Sequence, residues 1–594
     1  MEVSEYYKNQ SEGLEIQINA LKRWNKWWIT GEILCAAGML AAVVFMVMWP
    51  VRAWMTGLLI GAFCLWLILS RFDQKNNRHI SCLQASLKVL LLESKALCGD
   101  YTQFPSGEKY IDPHHEFALD LDIFGKGSLF NRIARSVTSG GSDFLADSLT
   151  HPKWESNRQE ALIELSRQES FMTRFKSQRI LQGKEMDTQK MLQVMQEFSV
   201  CPYPSIAVSG FSKILGWLLP AGFIAMVILS VFHVISGLIP VWWGIIQLIF
   251  VFALCNKSLK SIGDVSSGLS QSSIGYADLV EQIADADFHS PQNKALQLHL
   301  KESVKAFKIL RQVLKSLNSR ANLIGLVLFD LIFLSDFWLV RKFALWQRQY
   351  ATRMKDWIDL VSEMDALVSM ATVWFNHPEA VAAEVVDSEK LLFEARGLYH
   401  PFLGKKAVRN DFNLGSREFV LLTGANMAGK STFLRTVGVN VILAFNAMPV
   451  FAESLKLSRF RLFSSMRTSD DLEHGISYFN AELLRLQQLI TYCKTSDEPT
   501  LILLDEILKG TNSLDKLNGS KLFLQFISKM NVSGIIATHD LALSKLSDEY
   551  PGTFRNACFE IQLGTDITYS YRISPGVARN QNATYLLKQI LKDL

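Results

Sequence analysis

The chain has 594 residues, 49% of them hydrophobic and 11% aromatic, and a net charge of +4. That length leaves room for several domains, and the slightly positive mean hydropathy is high for a purely soluble protein. Charge this close to balance excludes a global polyanion-binding field, so a nucleic-acid surface would have to be a local patch. The eight cysteines are scattered and form no CxxC pair, which points away from a structural metal or a disulfide framework and towards a reducing compartment for the soluble parts. The first thirty residues are polar and charged, so no cleavable signal peptide is expected.

Residues 1–32 read as an N-terminal cytoplasmic helix. Ile33 to Trp49 and Ala53 to Ser70 then carry no charge apart from Arg52 between them. Each is long enough to cross a hydrocarbon core, and the short link makes 33–70 a transmembrane hairpin. A second hairpin is expected over 206–256, from the uncharged runs Ile214 to Ile235 and Leu238 to Cys255. Trp27, Trp28, Trp49, Trp217, Trp242 and Trp243 stand at the run ends like an interfacial belt. Lys22, Arg23, Lys26, Arg71, Lys75 and Arg78 flank the first pair, and Lys213, Lys257 and Lys260 the second. By the positive-inside rule both termini and the long segments lie in the cytoplasm, giving a multi-pass protein of the inner, cytoplasmic membrane. Buried core helices of a large soluble protein are the competing reading. No Asp, Glu, Lys or Arg lies inside the spans, so they suit anchors better than an ion path. Gly325 to Trp346 is also apolar but holds Asp330, Asp336, Arg341 and Lys342, and is read as a buried core helix rather than a fifth span.

Two helical core segments are expected, 71–205 and 257–397. "KWESNRQEALIELSRQESFMTRFKSQRILQG" and Asp356 to Phe375 place apolar residues at helical spacing. Lys301, Lys305, Lys308, Arg311 and Lys315 form a basic run, either a solvated helix face or a phosphate-facing stripe. From 398 to 594 short β-rich runs alternate with helices, the pattern of an α/β domain.

That last region carries the chemistry. Gly424, Gly429, Lys430 and Ser431 meet G-x-x-x-x-G-K-[ST], after the apolar run Glu418 to Thr423 and before a helix, with Thr432 next in line. In a phosphate loop of this kind the glycines let backbone N–H groups wrap the phosphates, the lysine neutralises the β/γ phosphates and the serine hydroxyl ligates Mg²⁺. "TLILLDEILKGTNSLD" ends a buried strand in Asp505-Glu506. Asp505 is placed to hold Mg²⁺ through water and Glu506 to polarise the attacking water. A strand-end acidic pair that merely caps the next helix is the alternative. "GIIATHD" is a further buried strand with His539 at its tip, a γ-phosphate-sensor position.

Together "TGANMAGKST", "DDLEHGISYFNAEL", "DEILKGTNSLD" and "ATHD" resemble the ATPase domain of the MutS family of DNA mismatch-repair proteins. Gly127 to Pro152 and Glu363 to Val373 are similar to parts of that family's helical core and lever. The resemblance implies an α/β P-loop ATPase domain of ABC/MutS type beside a mainly α-helical core and lever, here with four transmembrane helices in two hairpins. It implies ATP and Mg²⁺ as cofactors and a homodimer as the working state. Asn426 and Met427 match the family's P-loop pair and join the nucleotide-binding set. Ser477 takes the place of the serine that reaches the partner's nucleotide, with Phe479 and Glu482 as its neighbours, and Asn512 and Asp515 lie in the loop that meets the opposite subunit. Departures stand beside these matches: Ala425 and Ala428 in the loop, Tyr478 after Ser477, and Leu508-Lys509 after the acidic pair. No aromatic for stacking on adenine is evident ahead of the loop, where Ala407-Val408 stand. The N-terminal mismatch-reading domain has no counterpart.

The expected function is therefore a membrane-anchored MutS-like ATPase whose dimer changes conformation with the nucleotide cycle. DNA, the family's partner, would be bound by shape or backbone. Two other readings stay open: an ATP-driven transporter, against which stands the missing LSGGQ before Asp505, and a nucleotide-gated membrane scaffold without DNA.

Overall fold

The structure, a computed structural model, describes all residues except 1, 51–52, 267–269, 321–328, 468–477, 564–566 and 580–594. It divides into two units. One comprises Met1–Asp100, Arg135–Phe144 and Gln168–Val368; the other comprises Tyr101–Ala134, Leu145–Arg167 and Ser369–Leu594.

The first unit is helical. Helix α1 (Val3–Met48) and helix α2 (Ala53–Leu97) each run without a break from one end to the other, joining a polar stretch to an apolar one. At 1.5 Å per residue each is about 70 Å long, roughly twice a bilayer core. They pair as a hairpin far beyond the apolar tips. The rings of Trp28 and Phe72 stack 5.5 Å apart, and Asn76 Nδ2 donates to Asn25 Oδ1 at 3.1 Å. The helix continues unbroken through residue 32, where the composition changes from charged to apolar. At the polar end of the hairpin Glu93 is buried between Arg135 Nε and Lys176 Nζ, both at 2.9 Å. Burial alone would raise this carboxyl, but the two cations outweigh it and hold it at about 2. A buried ion cluster of this kind fixes register, because removing one member strands the others without water.

Helix α8 (Gly210–Val231) and helix α9 (Leu238–Ser266) form the second apolar pair. α1, α2, α8 and α9 are the four helices among the described residues that are long and apolar enough to cross a membrane. Ile33, Leu40, Ile60, Ile214, Trp217 and Phe252 on them are all exposed. Helix α10 (Ser270–Asp285), helix α11 (Pro291–Ser319) and helix α12 (Ser335–Tyr350) follow, and the unit ends within the helix Met354–Asn376. On α11 Lys301, Lys305, Lys308 and Lys315 are exposed, while Arg311 pairs with Asp278 at 2.9 Å. The run Gly325 to Trp346 is not one helix. Residues 325–328 lie outside the described part, 329–333 are helical, and the chain breaks at Leu334 in a left-handed conformation before α12 begins. The Lys153–Gly183 stretch is likewise two helices, Ser156–Arg167 and Glu169–Gln182, divided at Gln168.

The second unit is α/β. Strand β4 (Phe419–Gly424), strand β7 (Thr500–Asp505) and strand β8 (Val532–Thr538) are almost wholly buried. They read as continuous apolar runs because both faces of a parallel sheet are covered. They sit in a six-stranded sheet ordered β10-β9-β4-β8-β7-β6, where β6 is Arg461–Ser465, β9 is Phe554–Leu563 and β10 is Ile567–Pro575. All neighbours are parallel except the β9–β10 pair. Strand β1 (Glu384–Val386), strand β2 (Phe393–Leu398), strand β3 (Asn410–Leu414) and strand β5 (Ser454–Ser458) form a second sheet, ordered β1-β5-β2-β3. Two helices flanking the site are α13 (Lys430–Phe445) and α14 (Ser513–Ile527).

Candidate functional site

Parallel pairing decides where the motifs meet. β4, β7 and β8 run the same way, with Thr423 opposite Thr538 and Asp505 opposite Ala537. Their carboxyl ends, and the loops that leave them, therefore open on one edge of the sheet, where ligands of open α/β sheets bind.

The loop from Gly424 to Gly429 needs unusual backbone. Gly424 and Gly429 have φ of 154° and 108°, and Met427 has φ of 66°. A Cβ at Gly424 would stand 3.0 Å from the Phe559 carbonyl oxygen, so glycine is required there by space and conformation together. Gly429 leads into α13 without a side-chain cap. The first N–H groups of that helix are thus left to face whatever fills the loop. Ala425 and Ala428 are buried in the loop wall, small enough to replace glycine without filling the cradle.

Lys430 points back into this loop, donating from Nζ to the carbonyls of Gly424 at 2.9 Å and Ala425 at 3.1 Å. Burial pulls its ammonium down to about 8, against the attraction of Asp505 and Glu506. The Ser431 hydroxyl donates to Asp505 Oδ2 at 2.5 Å. Two hard oxygens so close, in a cleft open to more oxygen ligands, fit Mg²⁺, which takes one or two protein oxygens and completes its shell with water and phosphate.

Glu506 has a left-handed backbone, φ 60°, which turns its carboxylate into the cleft. Lys516 Nζ donates to Oε2 at 3.3 Å, and His539 Nε2 lies 3.3 Å from Oε1. The same imidazole nitrogen is 3.2 Å from Lys430 Nζ. Burial first, and then the Lys430 charge, lower the His539 pKa, so the ring stays neutral at physiological pH. Glu506, His539, Lys430 and Asp505 thus converge on one cleft of about 710 Å³, a volume suited to a nucleotide. Asn426, Met427, Gly429, Ser431 and Thr432 line it too.

Sequence reasoning missed several residues of this cleft: Tyr399, His400, Phe559 and Tyr571 line it along with Val408, and the Tyr571 ring would stand 3.2 Å from a Cβ at Gly429. Aromatic residues therefore line the cleft along with Val408, brought there by the chain just after β2 and by β9 and β10 rather than by the residues just before the loop. Burial, then Arg435 and Arg132, lower His400 to about 4, so it too is neutral. Lys516 was also missed; only its ion pair with Glu506 singles it out.

Ser477 lies outside the described residues. Helix α15 (Tyr478–Lys494) begins just after it, and its neighbour Glu482 is buried. The Glu482 carboxylate accepts from the backbone N–H groups of Lys509 at 3.0 Å and Gly510 at 3.1 Å, tying this helix to the loop after the acidic pair. Asn512 and Asp515 bond to each other. Asn512 Oδ1 accepts from Asp515 N at 3.0 Å, and the Asn512 amide donates to Asp515 Oδ2 at 2.7 Å. Asn512 is thereby the N-cap of α14. Leu514 between them is exposed.

Comparison with known proteins meets this geometry. Residues 420–588 match the family described as MutS domain V. The DNA mismatch repair protein MutS of Carboxydothermus hydrogenoformans is 27% identical over 249 residues, 40% of this chain and 29% of that protein. Its namesake in Thermotoga sp. (strain RQ2) is 29% identical over 225 residues, 37% of this chain and 27% of that protein. The one in Acetivibrio thermocellus is 30% identical over 238 residues, 38% of this chain and 27% of that protein. The chain thus spans less than a third of the length of the curated relatives it matches. The domain that holds the converging Lys430, Ser431, Asp505, Glu506 and His539 is thus similar to MutS domain V.

Proposed function

We propose that the protein is a membrane-anchored, Mg²⁺-dependent ATPase that works as a homodimer and couples its nucleotide cycle to DNA bound by shape or backbone. The observation that carries the ATPase reading is the convergence of five motif residues on one cleft beside an uncapped helix N-terminus. ATP phosphates would replace the Gly424 and Ala425 carbonyls as acceptors for Lys430 Nζ, restoring its charge. Ser431 and Asp505 would hold Mg²⁺, which neutralises charge on the β- and γ-phosphates. Glu506 is positioned to take a proton from water as the water oxygen bonds to the γ-phosphorus and the bond to the β–γ bridging oxygen breaks, leaving ADP and phosphate. Lys516 and His539 hold the carboxylate in that orientation, and His539 reaches the γ-phosphate side. The aromatic residues of the cleft wall, Tyr399 among them, suit the adenine. Ser477, with Asn512 and Asp515, would complete the partner's site, and exposed Leu514 beside the Asn512 cap suits a subunit contact.

Two helix pairs that carry uncharged runs with exposed apolar faces support the anchor. DNA enters because the relatives are DNA mismatch repair proteins by name and share this domain with the chain.

Glu506→Ala is expected to bind ATP and abolish its turnover; undiminished hydrolysis would overturn the role given to Glu506. Gel shifts across several salt concentrations test the output: affinity should fall as salt rises, and no salt-sensitive binding to duplex, branched or single-stranded DNA would leave a scaffold. ATP-dependent solute uptake in vesicles, lost in Lys430→Ala, would instead establish a transporter.

A further inference from the structure

We infer that the chain has a third membrane element, the segment Asp330–Trp338, which lies in the bilayer beside the α8–α9 hairpin and leaves it on the side where α8 begins. The inference rests on the membrane reading of that hairpin. It starts from a polar residue in an apolar helix. Gln247 lies near the middle of the Leu238–Cys255 run, about 12 Å of helix rise from either end, and its side chain is buried. Its amide donates to the backbone carbonyls of Leu331 at 2.9 Å and Asp330 at 3.4 Å. Those carbonyls belong to the short helical piece 329–333, which stops at left-handed Leu334.

A chain break at that depth is costly, because no water is present to satisfy the freed backbone groups. Both sides of this break are served. Gln247 takes up carbonyls of the helical piece before it. Asp330 serves the helix after it, its Oδ1 accepting from Asp336 N at 2.7 Å and Ser335 Oγ at 2.6 Å. Asp336 in turn is paired with Arg320 at 2.8 Å. The charges that make Gly325–Trp346 unsuitable as a spanning helix are thus the ones a helix break needs when it is shielded from lipid.

Packing against the hairpin tracks the segment's course. A Cβ at Gly244 would stand 2.6 Å from Leu331 Cδ1, and one at Gly216 2.8 Å from Phe337 Cε1. Gly244 lies well inside the apolar run, while Gly216 is near the start of α8. The segment therefore rises out of the hairpin as it passes from Leu331 to Phe337. Arg341 then donates from Nη1 to the Ser209 carbonyl at 2.9 Å, just before α8 begins. Phe329 and Phe333, one turn apart, remain exposed at 60% and 55% on the helical piece whose Leu331 packs against Gly244 of the hairpin. Lipid acyl chains are the occupant that fits, since these exposed rings are uncharged and their helical piece packs on a hairpin proposed to span the bilayer.

The test is photo-crosslinking of full-length protein in phosphatidylethanolamine–phosphatidylglycerol vesicles, with p-benzoylphenylalanine at position 333, at 224 on α8 or at 522 on α14, and adducts read by mass spectrometry. Phospholipid adducts are expected from 333 and 224 and none from 522. Adducts from 224 without 333 would overturn the third membrane element and leave the hairpin in the bilayer. Absence from both would overturn the membrane reading itself and this inference with it, and a 333 adduct to a second copy of the chain would overturn lipid as the occupant. Gln247→Leu should remove the lipid adduct at 333 while keeping that at 224; an undiminished yield at 333 would overturn Gln247 as the anchor.

Discussion

Lys430 in the cleft and Lys516 beside Glu506 have different proposed roles, and pH and kinetics separate them. Burial holds free Lys430 near 8, whereas phosphate oxygens would draw it back towards its ordinary value, so ATP binding should take up a proton around that pH. Raising the pH removes the charge before ATP arrives, and the ATP Kd should rise about tenfold from pH 7 to pH 9. Calorimetry in buffers of different ionisation enthalpy would read both the uptake and the loss of affinity; a flat Kd would contradict the shift. The sign for stability is opposite to that of a salt-bridged lysine. The unfolded chain holds this proton up to about 10.5, so between 8 and 10.5 stability from this site rises with pH. Lys516 instead orients Glu506 through their ion pair. Lys516→Met is expected to lower kcat roughly tenfold while leaving the KM for ATP unchanged, and an unaltered kcat would make the pair incidental. The Lys430 role is visible in the sequence because the phosphate-loop pattern names it. The Lys516 role is not, since it depends on α14 turning that side chain back across a left-handed Glu506.

Elements in this chain are held by side chains that cap them from elsewhere. Asp365 is fully buried, and its carboxylate accepts from the backbone of Val137 at 3.0 Å and Thr138 at 2.7 Å, and from the Thr138 hydroxyl at 2.7 Å. Burial pushes this carboxyl up to about 7 against those donors. The donors precede helix α4 (Ser139–Thr150), so Asp365 serves that helix start across 227 residues of sequence. Asp365→Ala leaves buried N–H groups without acceptors and should destabilise the fold by about 3 kcal/mol, read as a lowered midpoint of thermal unfolding in detergent. No change in midpoint would mean that water or a neighbour takes over the cap. The helix itself is legible from its apolar spacing; its cap is not, because the partner is distant in sequence. Gln247 teaches the same lesson. On a sequence scan it is one polar residue in an apolar run, and its meaning comes from the carbonyls that end a different segment.

At the scale of the molecule, the proposed assembly makes two predictions. Membranes containing the protein should retain it through an alkaline carbonate wash and release it to detergent, as expected of spanning helices and not of buried core helices; release by carbonate would sink the anchor. In a composite dimer Lys430→Ala and Ser477→Ala each cripple both sites. A mixed dimer rebuilds one, so an equal mixture should recover about a quarter of wild-type hydrolysis, since half the dimers are mixed and each carries one intact site. No recovery after exchange of subunits would show that the sites are not shared.

By itself, the sequence determined the features that depend on neighbours along the chain: the apolar runs and their flanking charges, the buried parallel strands, the glycine loop and the Asp505-Glu506 pair. Strand burial and phosphate-loop geometry require particular residue types at short fixed spacing, so they leave a local trace. Only the tertiary structure decided which distant groups finish each site: the aromatic residues of the cleft wall, the Lys516 partner of Glu506, the continuity of α1 and α2, and the break at Leu334 with Gln247 beside it. Those depend on sheet order and on the pairing of segments far apart in the chain. The energy they contribute comes from satisfying buried polar groups, and no spacing within a single segment records which partner will arrive.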